Sequence, residues 1–184
     1  FIHDDILFHS QDWGKKVNSI FENDLQIGLI GIAGSKIKTK MPSAWWDCPY
    51  ESMVVNVTHQ LNDSEKEVQN HGFEYNDCVE VSVIDGVFMA GRVAKTIFFD
   101  ESLKGFHHYD LFLCLQYVQL NLKVVVTNQV VIEHFSVGSI NSSWVKSALI
   151  FDRKYSKMLP LGSQIDEKRI QFNAIEFQNG VLFI

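Results

Sequence analysis

Residues 109–127, YDLFLCLQYVQLNLKVVVT, decide how this chain folds. Leu111, Leu113, Cys114, Leu115 and Val118 supply the apolar set of a core helix over Asp110 to Leu120. Asn121 stands where a helix end turns left-handed, and KVVVT follows as a short β segment. Working backward, CVEVSVIDGVFMA (78–90) alternates and then runs apolar, which predicts a strand leading into a turn or short helix. LQIGLIGIAG (25–34) reads as a buried strand ending in a glycine turn. WGKKVNSIFE (13–22) places Trp13, Val17, Ile20 and Phe21 at helical spacing. Working forward, VVIEHF (130–135) is a second short β segment. NSSWVKSALIFDRKYSKML (141–159) is an amphipathic helix with a Ser or Asn cap and Trp144, Ala148, Phe151 and Tyr155 on one side. Strands interleaved with helices predict an α/β domain, a mixed sheet with flanking helices.

Three further stretches complete the expectation. FIHDDILF (1–8) opens as an apolar strand that ends at acidic residues. From Ser35 to about Asn76 the signal weakens around prolines 42 and 49, the Trp45-Trp46 pair and the polar LNDSEKEVQNHG, so this region is read as an excursion holding at most a short strand or hairpin. The tail AIEF-QNG-VLFI (174–184) reads as a β-hairpin, because Asn-Gly is the favoured tight-turn pair. The 184 residues suit one domain, with residues 1–140 as the core and 141–184 as a helix and hairpin.

Composition excludes several classes of function. The net charge is −6 and the longest basic concentration, Lys36, Lys38 and Lys40, is too short to argue for nucleic acid. A polyanion such as a diphosphate would have to be held through a metal ion or backbone amides. Cys48, Cys78 and Cys114 form no C-x-x-C and no even framework, which points to reduced thiols and a cytoplasmic chain, free or peripheral to a membrane. No apolar run approaches the roughly 18–20 residues of a membrane span. The chain starts at Phe1 within an apparent strand, so it is read as a piece of something longer.

Several groups could carry chemistry. His3-Asp4-Asp5, at the carboxyl end of a strand, would face the usual ligand crevice of an open α/β sheet, and hard cations bind there through carboxylates. Strand-end residues facing water are the plainer account of the same three. Asp110 opens a helix, so it is an N-cap candidate whose ionised form the helix dipole favours, and equally a general base. His107 and His108 are ligands, substrate contacts or surface residues. His134 is a metal ligand or a structural histidine. Trp45 and Trp46 stack on a sugar face or staple a loop to the core. The absence of H-E-x-x-H, G-x-S-x-G and G-K-[ST] leaves zinc hydrolases, serine hydrolases and phosphate-loop NTPases without a motif.

Taken in order, these features resemble the family 2 glycosyltransferases of the GT-A fold, and among them the streptomycin-biosynthesis-type glycosyltransferase-like subgroup. His3-Asp4-Asp5 matches a His-x-Asp version of the D-x-D motif, and GIAGS matches a small-residue turn. Ala44-Trp45-Trp46 matches a Trp-Trp loop, Asp85 to Ala90 matches D-G-x-F-M-A, and FFDESLKGFHHYDLFLCL leads to the helix with the catalytic acid. IEHFSVG closes the series. The resemblance implies a nucleotide-diphospho-sugar donor, a carbohydrate or other hydroxyl acceptor, and Mn²⁺ or Mg²⁺. Asp5 and His134 would hold the metal, and Asp110 would be the base of an inverting transfer. His3, Asp4, Trp45, Trp46, Asp85, Gly86, His107, His108 and Tyr109 would line the donor and acceptor sites. Two positions depart from the pattern: Tyr109 replaces the first acid of a Glu-Asp pair, and His3 replaces the first acid of D-x-D. In the resembled fold the nucleotide-recognising half precedes the D-x-D strand, so that half is expected to be missing. A truncated sheet edge would favour self-association into a homo-oligomer. The competing expectation is a non-catalytic carbohydrate or nucleotide-sugar binding module using the same crevice.

Overall fold

The computed structural model describes residues 1–62, 64–136, 138–162 and 166–183. It is mixed α/β, as the alternation of strands and helices predicts. Strands β2 (Ile27–Gly31) and β9 (Lys123–Thr127) run parallel at its centre, flanked by β6 (Cys78–Val81) and β8 (Ala90–Gly91) in a four-stranded sheet. Their side chains alternate between two layers. Leu29, Val124 and Val126 face helix α2 (Tyr109–Gln119), while Ile30 and Val125 belong to the cluster with Val17 and Ile20 of α1 (Trp13–Asn23). Burial on both faces explains why β2 and β9 read as continuous apolar runs. Helix α2 is buried nearly all round from Leu111 to Tyr117. It ends at Asn121, whose φ of 57° is the left-handed cap expected there.

The glycine turn expected after β2 is instead a change of sheet. The chain passes through Ile32 into β3 (Ala33–Ser35), which belongs to a second sheet with β7 (Val83–Ile84), β4 (Met53–Asn62), β10 (Ile132–His134) and β1 (Ile6–Phe8). The segment 78–84 makes the same passage through Ser82, from β6 to β7, with no helix after it. At Gly34 a Cβ would lie 2.1 Å from the Val83 carbonyl oxygen, so glycine is what lets these two bent strands approach.

Three expectations are corrected. The later part of the excursion is a long antiparallel hairpin, β4 with β5 (Glu65–His71), because the polar residues of β5 form a largely exposed edge strand rather than a loop. The acids of FIHDDILF do not end a strand. Ile2 makes one bridge to Phe88, Asp4 and Asp5 form a bend, and only then does β1 begin as a partner of β10. The C-terminal hairpin is a helix, α4 (Asp166–Phe183). Asn179 lies inside it and donates from Nδ2 to Thr39 Oγ1, Ser43 Oγ and the Asp47 carbonyl at 3.1, 3.2 and 2.9 Å. Those tertiary bonds override the local turn preference of Asn-Gly and brace the loop that carries the tryptophan pair. Helix α3 (Ser142–Tyr155) is capped by Asn141, whose side chain accepts from the amides of Ser143 and Trp144. Among the described residues no helix is long and apolar enough to cross a membrane.

Candidate active site

Three backbone segments converge at one rim. The His3 amide donates to the Val87 carbonyl at 3.1 Å, while Ile6 pairs with His134 and the Phe135 amide donates to the Asp5 carbonyl at 2.9 Å. His3, Asp5 and His134 are therefore brought together from opposite ends of the sequence. His134 Nε2 lies 3.3 Å from Asp5 Oδ1 and 3.3 Å from His3 Nδ1, and one ligand atom from each residue fits within 4.8 Å of the others. Two imidazole nitrogens and a carboxylate oxygen suit Mn²⁺ or a similar transition metal better than Mg²⁺, which prefers oxygen throughout. The Ser136 hydroxyl, against the opposing effect of burial, and then the nearby His134 hold the Asp5 carboxyl below its usual range. Burial pushes the His134 imidazole down, against the pull of Asp5. The first group is thus held ionised and the second neutral, the states in which they bind metal.

Asp110 is not the N-cap. His108 occupies that place at φ 64° without a side-chain capping bond, and Asp110, two residues on in the first turn, reaches across to the Asp85–Gly86 turn. Its Oδ2 accepts from the Gly86 amide at 3.1 Å and its Oδ1 from the Leu111 amide at 2.8 Å. The expectation that the helix dipole keeps this carboxylate ionised at neutral pH is also corrected. Burial and then the charge of Asp85 push its pKa up to about 7, outweighing both amides. Each oxygen retains a second lone pair for an incoming proton, and the residue keeps part of its surface open.

The neighbours fix this geometry. Asp85 accepts from the Val87 amide at 2.9 Å and from Trp45 Nε1 at 2.8 Å. Trp45 is thereby stapled to the core, while Trp46, edge-on to it, stays 39% exposed. Tyr109 donates its hydroxyl to the Gly86 carbonyl at 3.2 Å and meets His3 Nε2 at 3.2 Å. Burial, then the charges of Asp110 and Asp85, push that phenol far up and keep it neutral. His108 packs on Trp144 and Phe151 and bonds Ser147 Oγ at 3.0 Å. Burial lowers its pKa to about 4, with smaller contributions from His107 and Lys38, so it is a neutral packing residue. His107 is more open and bonds Ser143 Oγ at 3.1 Å.

These groups open onto one cavity of about 880 Å³. Its wall includes His3 and His134, the Asp85–Gly86 turn, Tyr109 and Asp110, both tryptophans, and both His107 and His108. Asp5 adjoins this wall through His134, whereas Asp4 is exposed and outside it. Sequence reasoning missed the opposite wall, made by Tyr50, Val55, Val57, His59, Gln69 and His71. The every-second-residue spacing of Met53, Val55, Val57 and His59 was the available signal, a strand with one face turned to the cavity. It also missed Lys38. Among the described residues this is the one lysine or arginine of the wall, 3% exposed, and its Nζ donates to the carbonyls of Thr39 and Met41 at 3.0 and 2.8 Å. Burial lowers its pKa to about 8, against raising effects of Asp47 and other acids. The cavity therefore offers histidines, carboxylates and aromatic faces, and the Lys38 ammonium in its wall is already engaged.

No curated protein matches the chain. Residues 1–157 match the model of the Glycosyltransferase like family, a span that contains every residue of the cavity wall. Since the match takes in most of the chain, this protein belongs to the Glycosyltransferase like family.

Proposed function

We propose that this domain transfers a sugar from a nucleotide-diphosphate donor to an acceptor hydroxyl, with inversion at the anomeric carbon and with Mn²⁺ bound by His3, Asp5 and His134. The observation that carries the reading is the shared cavity. A candidate base, Asp110, and two of the three candidate metal ligands line one space large enough for a sugar and its acceptor. A bound divalent cation would supply Lewis-acid charge neutralisation for the departing diphosphate. The wall is consistent with this need, because among the described residues its one lysine already donates to two backbone carbonyls and to Ser43 Oγ.

Asp110 receives the proton of the acceptor hydroxyl as the acceptor oxygen forms its bond to the anomeric carbon. The bond from that carbon to the diphosphate oxygen breaks, and the nucleoside diphosphate leaves with the electron pair. A base with a pKa near 7 is well matched to this work, since a substantial share is deprotonated near neutral pH and that share is still basic enough to take a proton. Trp46 offers an exposed ring for the face of a sugar, while Trp45, held by Asp85, fixes where that ring stands.

The test is a screen of sugar nucleotides with Mn²⁺ by thermal shift, followed by transfer assays on the hits. Asp110→Asn should bind the same donor with Mn²⁺ and fail to transfer. Full transfer by that variant would remove Asp110 from the mechanism. Donor binding without transfer in the unmodified protein would turn the reading to a binding module.

A further inference from the structure

Tyr109 departs from the resembled family's pattern, and its contacts give it a different task. We propose that Tyr109 is a positioning residue for His3, fixing the imidazole tautomer that leaves Nδ1 bare toward Asp5 and His134. The inference rests on the metal-site reading above.

The tyrosine hydroxyl carries one hydrogen and lies 3.2 Å from the Gly86 carbonyl oxygen and 3.2 Å from His3 Nε2. A carbonyl can only accept, so the contact with Gly86 is a bond only when the hydroxyl donates to it. The hydroxyl then has only lone pairs to offer His3, and both contacts are satisfied together only when Nε2 carries the hydrogen. In a neutral imidazole that leaves Nδ1 with an unshared pair. That atom is the one placed 3.3 Å from His134 Nε2 and 3.9 Å from Asp5 Oδ1. Metal-binding histidines are generally held in this way, by a partner on the nitrogen that does not bind.

The seat of the hydroxyl is built in. A Cβ on Gly86 would lie 2.2 Å from the Tyr109 oxygen, so only glycine lets the ring reach that carbonyl. The same Gly86 supplies its amide to Asp110 Oδ2. One glycine thus ties the position of the candidate base to the tautomer of a candidate ligand.

The experiment has two independent readings. In metal-free protein with ¹⁵N-labelled histidine, the His3 ring should show the Nε2–H tautomer; an Nδ1–H ring overturns the inference whether or not metal binds. In Tyr109→Phe, the His3 signature should become a mixture, and Mn²⁺ affinity, read by electron paramagnetic resonance of the free ion, should fall about 10–100-fold. A folded variant with unchanged His3 shifts and unchanged affinity overturns it as well. If Tyr109→Phe fails to fold, the tautomer in the unmodified protein decides the matter. Absence of Mn²⁺ binding in the unmodified protein, or binding that survives His134→Ala, instead overturns the metal-site reading and leaves the tautomer result to stand alone.

Discussion

Asp5 and Asp110 are the same side chain in opposite surroundings. Asp5 sits on a half-buried bend, where the Ser136 hydroxyl and then His134 hold it ionised against the opposing effect of burial. Asp110 lies in the first turn of a helix whose next seven residues are buried, and the apolar packing that makes α2 a core element pushes its carboxyl up to about 7. In the proposed transfer, carboxylates driven apart in this way would divide their labour, the lower one holding a cation and the higher one moving a proton. The lesson is that neither role is written in the residue type. Each comes from the element that carries it: a bend at an edge strand for Asp5, the first turn of the central helix for Asp110.

The sharpest way to break this division is to neutralise each acid and read both functions. Asp110→Asn should lower transfer by about 10²–10⁴-fold while leaving Mn²⁺ affinity unchanged. Asp5→Ala should weaken Mn²⁺ at least about 100-fold, more than loss of an outer partner does, with little change in folding stability because its side chain is partly open to solvent on a bend. Calorimetric titration with Mn²⁺ and a transfer assay on both variants separate the two. Equal loss of metal binding in both would merge the sites.

The pH profile sharpens the same contrast. The base works only when deprotonated, so transfer should rise with pH through about 7 and level off above it. Asp85 is the second cause of that raised value, after burial, so Asp85→Asn should move the midpoint downward. The linked effect on stability has a definite sign. With a folded pKa near 7 and an unfolded one near 3.8, Asp110 keeps its proton only in the folded protein between those values. Unmodified protein should therefore lose stability relative to Asp110→Asn as pH rises from about 4 to 7, measured as the difference in urea midpoint. A difference that does not change with pH would show that burial does not raise this carboxyl.

Much of this was legible in the chain and some was not, for physical reasons. Helices α1, α2 and α3 and strands β2 and β9 follow from periodicity, because each buries a face or a whole circumference. The β5 edge strand escaped notice because an exposed strand needs no apolar alternation. Asn179-Gly180 misled because turn preference is local and the bonds that hold Asn179 in a helix reach residues about 130 to 140 positions away. The ordered series of motifs located one wall of the cavity and left out the wall built by β4 and β5, and the grouping of His3 with His134 is a matter of sheet pairing that no local pattern reveals. Asp110 was found for its position and misjudged in its ionisation, since the dipole is visible in a sequence and the depth of burial is not.

The smallest effects separate the two adjacent histidines, which looked alike in sequence. His108→Ala removes a buried ring from between Trp144 and Phe151 together with its bond to Ser147. That should cost about 2–3 kcal/mol in chemical denaturation. His107→Ala removes a partly open ring bonded to Ser143, and should change stability by no more than about 0.5 kcal/mol. His108 adds a pH signature. Its folded pKa of about 4 lies below the ordinary 6.5, so the unfolded chain takes up a proton that the folded one refuses between those values. The stability His108 contributes should be fully present above about pH 6.5 and be lost as pH falls toward 4. The gap between the His108→Ala and unmodified urea midpoints should therefore narrow on acidification. A gap that stays constant from pH 7 to 4 would mean that the ring is solvated, and would return His108 to the class of acceptor contacts beside His107.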